Sequence, residues 1–167
     1  MKESFIGGTS LFKNLFKRNK EENTSSTNNY IQPLEGKLLT ISEVPDPVFS
    51  QKMMGDGIAV DPTNGVLVAP ADGQIMNVFP TKHALSMTDN SGKEILIHVG
   101  LDTVALKGEG FTAFVKDGDK VKQGQKLMEI DFDAIKSKVP SIITPMVFTN
   151  LGENEKVVVE GNEIKIG

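Results

Sequence analysis

From Tyr30 onward the apolar residues fall in short runs rich in Val, Ile, Leu and Phe, interrupted every six to twelve residues by Gly, Pro, Asp or Asn. Runs of that length, bounded by turn chemistry, predict an all-β fold, an antiparallel β-sandwich or barrel. Reversals are placed at Asp46-Pro47, Gly55-Asp56-Gly57, Asp61 to Gly65, Asp72-Gly73, Asp89 to Gly92, Gly108-Glu109-Gly110, Asp117-Gly118-Asp119 and Glu160-Gly161-Asn162, where each side chain suits a tight turn. Strands are then predicted over 37–41, 58–60, 66–69, 74–79, 84–88, 94–99, 111–116, 126–131, 142–148, 156–160 and 163–166. One short helix is expected over 131–139, capped by Asp131 and stopped by Pro140.

The pattern upstream is different. Leu11, Phe12, Leu15 and Phe16 recur at helical spacing, with Lys13, Lys17 and Lys20 on the opposite arc and Thr9 or Ser10 available as a cap. Residues 1–20 therefore form a basic amphipathic segment suited to an anionic membrane surface. So few periodic residues make a marginal helix in water, so a free tail or docking on the chain's own domain is the competing expectation. Residues 21–29 read Glu-Glu-Asn-Thr-Ser-Ser-Thr-Asn-Asn, a flexible linker. The folded domain is expected over 30–167.

Composition narrows the chemistry. A chain of 167 residues supports one well-formed core, and a net charge of −4 gives no basic groove for nucleic acid. The absence of cysteine excludes disulfides, thiolate metal sites and thiol catalysis. No apolar run approaches the ~20 residues of a membrane span, and no secretory signal is visible, so the expected location is the cytoplasm.

What remains is histidine, carboxylate, hydroxyl and lysine chemistry, and the chain has only two histidines. His98 lies in an apolar strand, where a satisfied core histidine is the plainer local reading and a working imidazole the other. Alternation puts Glu94, Leu96 and His98 on one, partly solvated face and Ile95, Ile97 and Val99 on the other. With Asn90 and Ser91 at the hairpin tip, His83 falls directly opposite His98. Two imidazoles fall short of the three protein ligands of a catalytic zinc site, and no Gly-x-Ser-x-Gly elbow is present. Two fragments, 66–75 and 117–127, are similar to the strands of biotinyl and lipoyl carrier domains. Lys93, at the foot of the Asp89 to Gly92 turn, is the nearest candidate for a modified lysine. A further use of the pair is His98 as a nucleophile toward phosphorus, with the second imidazole hydrogen-bonded to the transferring group.

The stretch Gly92-x-x-Ile95-Leu96-x-His98-Val99-Gly100-Leu101-x-Thr103-Val104 resembles the phosphorylation-site signature of the glucose-class IIA component of the bacterial phosphoenolpyruvate-dependent sugar phosphotransferase system. Residues 44–49, 55–60, 79–84 and 106–111 resemble further blocks of that family, in family order. The resemblance implies a flattened antiparallel β-sandwich of the duplicated hybrid type. It implies a phosphocarrier that accepts a phosphoryl group from the phosphorylated histidine carrier protein HPr and passes it to a cysteine of a sugar permease's IIB domain. His98 aligns with the residue phosphorylated on Nε2, His83 with the second active-site histidine, and Thr81 with a hydroxyl that orients an imidazole. Gly100 is the expected carbonyl partner for Nδ1 of His98. For docking, Val48, Phe49, Phe79 and Leu96 are candidates for an apolar ring, and Asp46 and Asp102 for acids that meet partner arginines. No cofactor is required, although zinc held by His83 and His98 at a partner interface fits the residues. The family's N-terminal segment strengthens the membrane-surface reading of Leu11, Phe12, Lys13, Leu15, Phe16 and Lys17, and with it a peripheral position at the inner face of the membrane.

Overall fold

The computed structural model describes residues 29–167. The basic segment over 1–20 and nearly all of the 21–29 linker lie outside the described residues. The strands are β1 (Gly36–Thr40), β2 (Asp56–Pro62), β3 (Val66–Val68), β4 (Gly73–Val78), β5 (Ala84–Asp89), β6 (Glu94–His98), β7 (Phe111–Ala113), β8 (Lys120–Val121), β9 (Lys126–Ile130), β10 (Thr144–Phe148), β11 (Val157–Glu160) and β12 (Glu163–Ile166). They form a seven-stranded sheet in the order β1-β2-β10-β6-β5-β4-β8, a three-stranded sheet β3-β9-β7 and a two-stranded ribbon β11-β12, with antiparallel pairing throughout. The two fragments similar to carrier domains pair with each other: Val66 to Val68 lie against Lys126 to Glu129, and Gly73 and Gln74 against Val121 and Lys120. Each fragment crosses from one sheet to the other, β3 to β4 and β8 to β9, so the two crossovers link the sheets side by side.

Alternation along the central strands divides the interior in two. Ile58, Val60, Leu85, Met87, Ile95, Ile97, Met146 and Phe148 point from the large sheet into the main core, where Leu67, Leu127 and Met128 meet them from the small sheet. Ala59, Ala84, Leu96 and Val147 point the other way, into a smaller core closed by Ile41, Val44 and Phe49. The segment after β1 covers this face because the one-turn helix Pro47–Ser50 folds it back; Asp46 caps that helix by accepting the Val48 N–H at 2.9 Å, and Pro47 starts it. His98 sits on this second face, at the rim of the cover.

The differences from the sequence-based expectation are local. β8 is only two residues long, too short to leave a periodic signal, and Asp46-Pro47 opens a helix rather than a simple reversal. The expected 131–139 helix contracts to Phe132–Ile135, capped by Asp131 through the Ala134 N–H. The hairpin register is shifted by one residue. Asp89 donates its N–H to the Lys93 carbonyl, so the loop is Asn90-Ser91-Gly92, with Gly92 at φ +94°. A three-residue loop closed by a left-handed glycine replaces the two-residue tip. His98 therefore pairs with Ala84, and His83 accepts the Val99 N–H at 2.7 Å from just outside the strand. Asp89 fixes this loop by accepting from Ser91 N–H, Ser91 O–H and Lys93 N–H on one oxygen and from the buried Tyr30 hydroxyl, at 2.5 Å, on the other.

Candidate active site

His98 ends β6, and its Nδ1 lies 2.7 Å from the Gly100 carbonyl oxygen. A carbonyl only accepts, so Nδ1 carries the proton. In the neutral ring Nε2 is then left with a free lone pair. The carbonyl reaches back because Gly100 has φ +70°, a conformation that disfavours any side chain. A Cβ built there would lie 2.8 Å from Thr103 Cγ2 and 3.1 Å from the Ser141 carbonyl oxygen. Gly100→Ala is accordingly expected to destabilise the fold by about 1–3 kcal/mol and to disturb the His98 ring. Chemical denaturation together with the His98 ring NMR signals checks both; a variant unchanged in both would contradict the role given to this carbonyl.

His83 was expected to face His98 through strand pairing. The pairing fails by one residue, yet the rings meet, with centroids 5.1 Å apart at 77°. The pleat does not extend to His83, and left-handed Lys82, at φ +60°, precedes it. Thr81 Oγ1 lies 2.5 Å from His83 Nδ1. Phe79 packs edge-on to His83 at 5.5 Å and Phe49 packs tilted on His98 at 5.3 Å. The result is a continuous row, Phe49, His98, His83, Phe79, in which two aromatic residues flank two imidazoles.

Both imidazoles are held below the ordinary value of 6.5. For His83 the cause is burial, then the neighbouring His98. For His98 it is burial, opposed by the Gly100 carbonyl and by Asp46 and Asp102. Since the folded protein resists protonation at these rings, their contribution to stability is present above the unfolded value and declines as the pH falls through 6.5 toward the native midpoints. An NMR titration of the two rings should give midpoints below 6.5 for both; a value at or above 6.5 for either would contradict this environment.

The other expected residues divide by exposure. Val48 and Asp102 are exposed, and Asp46 and Phe79 are partly exposed. Phe49 and Leu96, candidates for the apolar docking ring, are only 4% and 8% accessible and belong to the second core. Alternation placed Leu96 beside His98 correctly, but the Ile41 to Phe49 cover could not be foreseen, since its path depends on long-range packing. Phe49 still acts on the site through its ring contact with His98. Two fully buried hydroxyls, Thr103 and Thr144, surround Gly100 and had been given no role; Thr103 lies inside the signature, whereas Thr144 leaves no local signal. Lys93 is held by Glu155 at 2.8 Å through both carboxylate oxygens, which removes it as a modified lysine at a hairpin tip. Among the described residues no group of three or more His, Asp or Glu is arranged to hold a metal, and none of the helices is long and apolar enough to cross a membrane.

Residues 28–154 match the family model of the phosphoenolpyruvate-dependent sugar phosphotransferase system, EIIA 1. The chain belongs to this family. It is 52% identical over 140 residues to a glucose-specific EIIA component of Oceanobacillus iheyensis, covering 84% of each chain. It is 51% identical over 130 residues to a glucosamine-specific EIICBA component of Bacillus subtilis, covering 78% of this chain and 21% of that one. In structure it is similar to the glucose permease IIA of Mycoplasma capricolum, with a TM-score of 0.77 and 40% identity over 83% of this chain and 94% of that one. The β-sandwich and a phosphocarrier role in sugar transport by the phosphotransferase system follow from this membership.

Proposed function

We propose that His98 is the covalent carrier, phosphorylated on Nε2. The observation that carries this reading is the Nδ1–H to Gly100 contact, which leaves Nε2 unprotonated in an imidazole whose proton affinity is lowered. In the first transfer the Nε2 lone pair attacks phosphorus in line while the donor's nitrogen–phosphorus bond breaks, and that nitrogen keeps the bonding pair. In the second, a cysteine thiolate of the IIB domain attacks the same phosphorus and His98 leaves as a neutral imidazole. His83 supports both steps by donating from Nε2 to a phosphoryl oxygen, a tautomer that the Thr81 hydroxyl favours by donating its proton to Nδ1.

The donor in this reading is phosphorylated HPr and the acceptor a sugar permease's IIB domain. A relative whose name joins EIIC, EIIB and EIIA in one chain supports the second partner. Comparable identity to a glucose-specific and a glucosamine-specific protein indicates that sugar choice lies outside this chain. Exposed Val48 and partly exposed Phe79 supply apolar contact, Asp46 and Asp102 the charge for partner arginines, and Phe49 and Leu96 support the rim from beneath. The reading places the folded domain, residues 30–167, in the cytoplasm, with 1–20 as a membrane-surface segment. The transfers require no metal.

Phosphoenolpyruvate with the two general upstream proteins should place an acid-labile phosphoryl group on the protein, and a panel of IIB domains should remove it. Failure to label, or a label that no IIB domain discharges, would contradict the reading.

A further inference from the structure

The two peptide units around Gly100 have every polar atom engaged. The Val99 carbonyl accepts from the Thr103 hydroxyl at 2.6 Å, and the Gly100 N–H donates to Thr144 Oγ1 at 3.3 Å. The Gly100 carbonyl accepts from His98 Nδ1, and the Leu101 N–H donates to the Ser141 carbonyl at 2.9 Å. Thr103 and Thr144 are both fully buried. Thr144 uses its one proton on the Ile142 carbonyl, at 3.0 Å, so a lone pair is what it presents to Gly100.

This closed set answers a weakness of the site. A glycine at φ +70° has an unusually free backbone. Were the Val99–Gly100 peptide free to turn, the φ of Gly100 would change with it and the Gly100 carbonyl would swing away from Nδ1. Without that acceptor the ring is free to carry its proton on Nε2, the tautomer that free histidine itself prefers. Such a ring has no lone pair at the nitrogen proposed to attack phosphorus.

We infer that Thr103 and Thr144 are positioning residues that select the reactive tautomer of His98, by locking the Val99–Gly100 peptide and so aiming the Gly100 carbonyl at Nδ1. The inference rests on His98 being the carrier, yet its first readout does not depend on phosphorylation. Thr103 grips one end of the peptide and Thr144 the other, while Ser141 holds the next unit.

Valine matches the shape of threonine without the hydroxyl, and serine restores the hydroxyl without the methyl. The full chain with 15N-labelled histidine, as wild type and as T144V, T103V, T144S and T103S, reports by NMR which ring nitrogen of residue 98 carries the proton. Wild type and both serine variants should show Nδ1–H. Each valine variant should gain Nε2–H character, and its rate of labelling by phosphorylated HPr should fall about fivefold, in proportion to the lost reactive fraction. Amide spectra confirm folding; if one valine variant does not fold, the other and the two serine variants decide. Folded valine variants that keep the wild-type tautomer would overturn the inference, as would a shifted tautomer that serine fails to restore. Absence of labelling in wild type with the tautomer pattern intact would instead count against the carrier role.

Discussion

Replacing His98 by alanine is expected to abolish phosphoryl labelling while the β-sandwich stays folded. The ring is the only donor of an Nε2 lone pair fixed by a backbone carbonyl in the row Phe49, His98, His83, Phe79. Removing a nucleophile typically costs a factor of about 10³ or more, so labelling should fall to background. The structural cost is small by comparison. One hydrogen bond and two ring contacts are lost at a partly exposed position, about 1–2 kcal/mol, and the main core behind β6 is untouched. Labelling by phosphoenolpyruvate and the upstream proteins, run beside a denaturation curve, separates the two effects. A folded alanine variant that labels normally would remove His98 as the carrier.

His83→Gln should divide the two half-reactions. Glutamine retains an N–H donor for a phosphoryl oxygen, so acceptance from HPr should survive within a few-fold. It cannot take up charge, however, whereas His83 can respond to the phosphoryl dianion beside it as the group departs. Loss of one such electrostatic partner is worth roughly 10²-fold, and that loss should appear in transfer to the IIB cysteine. A pre-labelled variant mixed with a IIB domain gives the onward rate directly. Onward transfer at the wild-type rate would take His83 out of the mechanism.

The large features of this fold were readable because strand periodicity and turn residues are local signals. Ile95, Ile97 and Val99 alternate with Leu96 and His98, and the structure sends the first set to the main core and Leu96 to the second, with His98 half-buried at its rim. The errors arise where long-range packing or loop geometry decides. Gly92 takes a left-handed conformation and adds a residue to the loop, which shifts the register by one. His83 meets His98 all the same, because it lies outside the pleat that register governs. Phe49 and Leu96 fitted a docking ring because nothing local reveals that residues 41–50 fold back and bury Phe49 against Leu96 and its neighbours. The candidate site was legible in its type, two imidazoles, a hydroxyl and a glycine carbonyl, but Thr144 enters only through the pairing of β10 with β6.

The central claim is that the phosphoryl group resides on Nε2 of His98 while Nδ1 keeps its proton. Phosphorus and 15N NMR on the protein labelled under alkaline conditions tests it most directly. A phosphorus coupling to Nε2 of residue 98, with Nδ1 still protonated, is the result expected. Phosphorus bound to His83, or to Nδ1 of His98, would contradict the account.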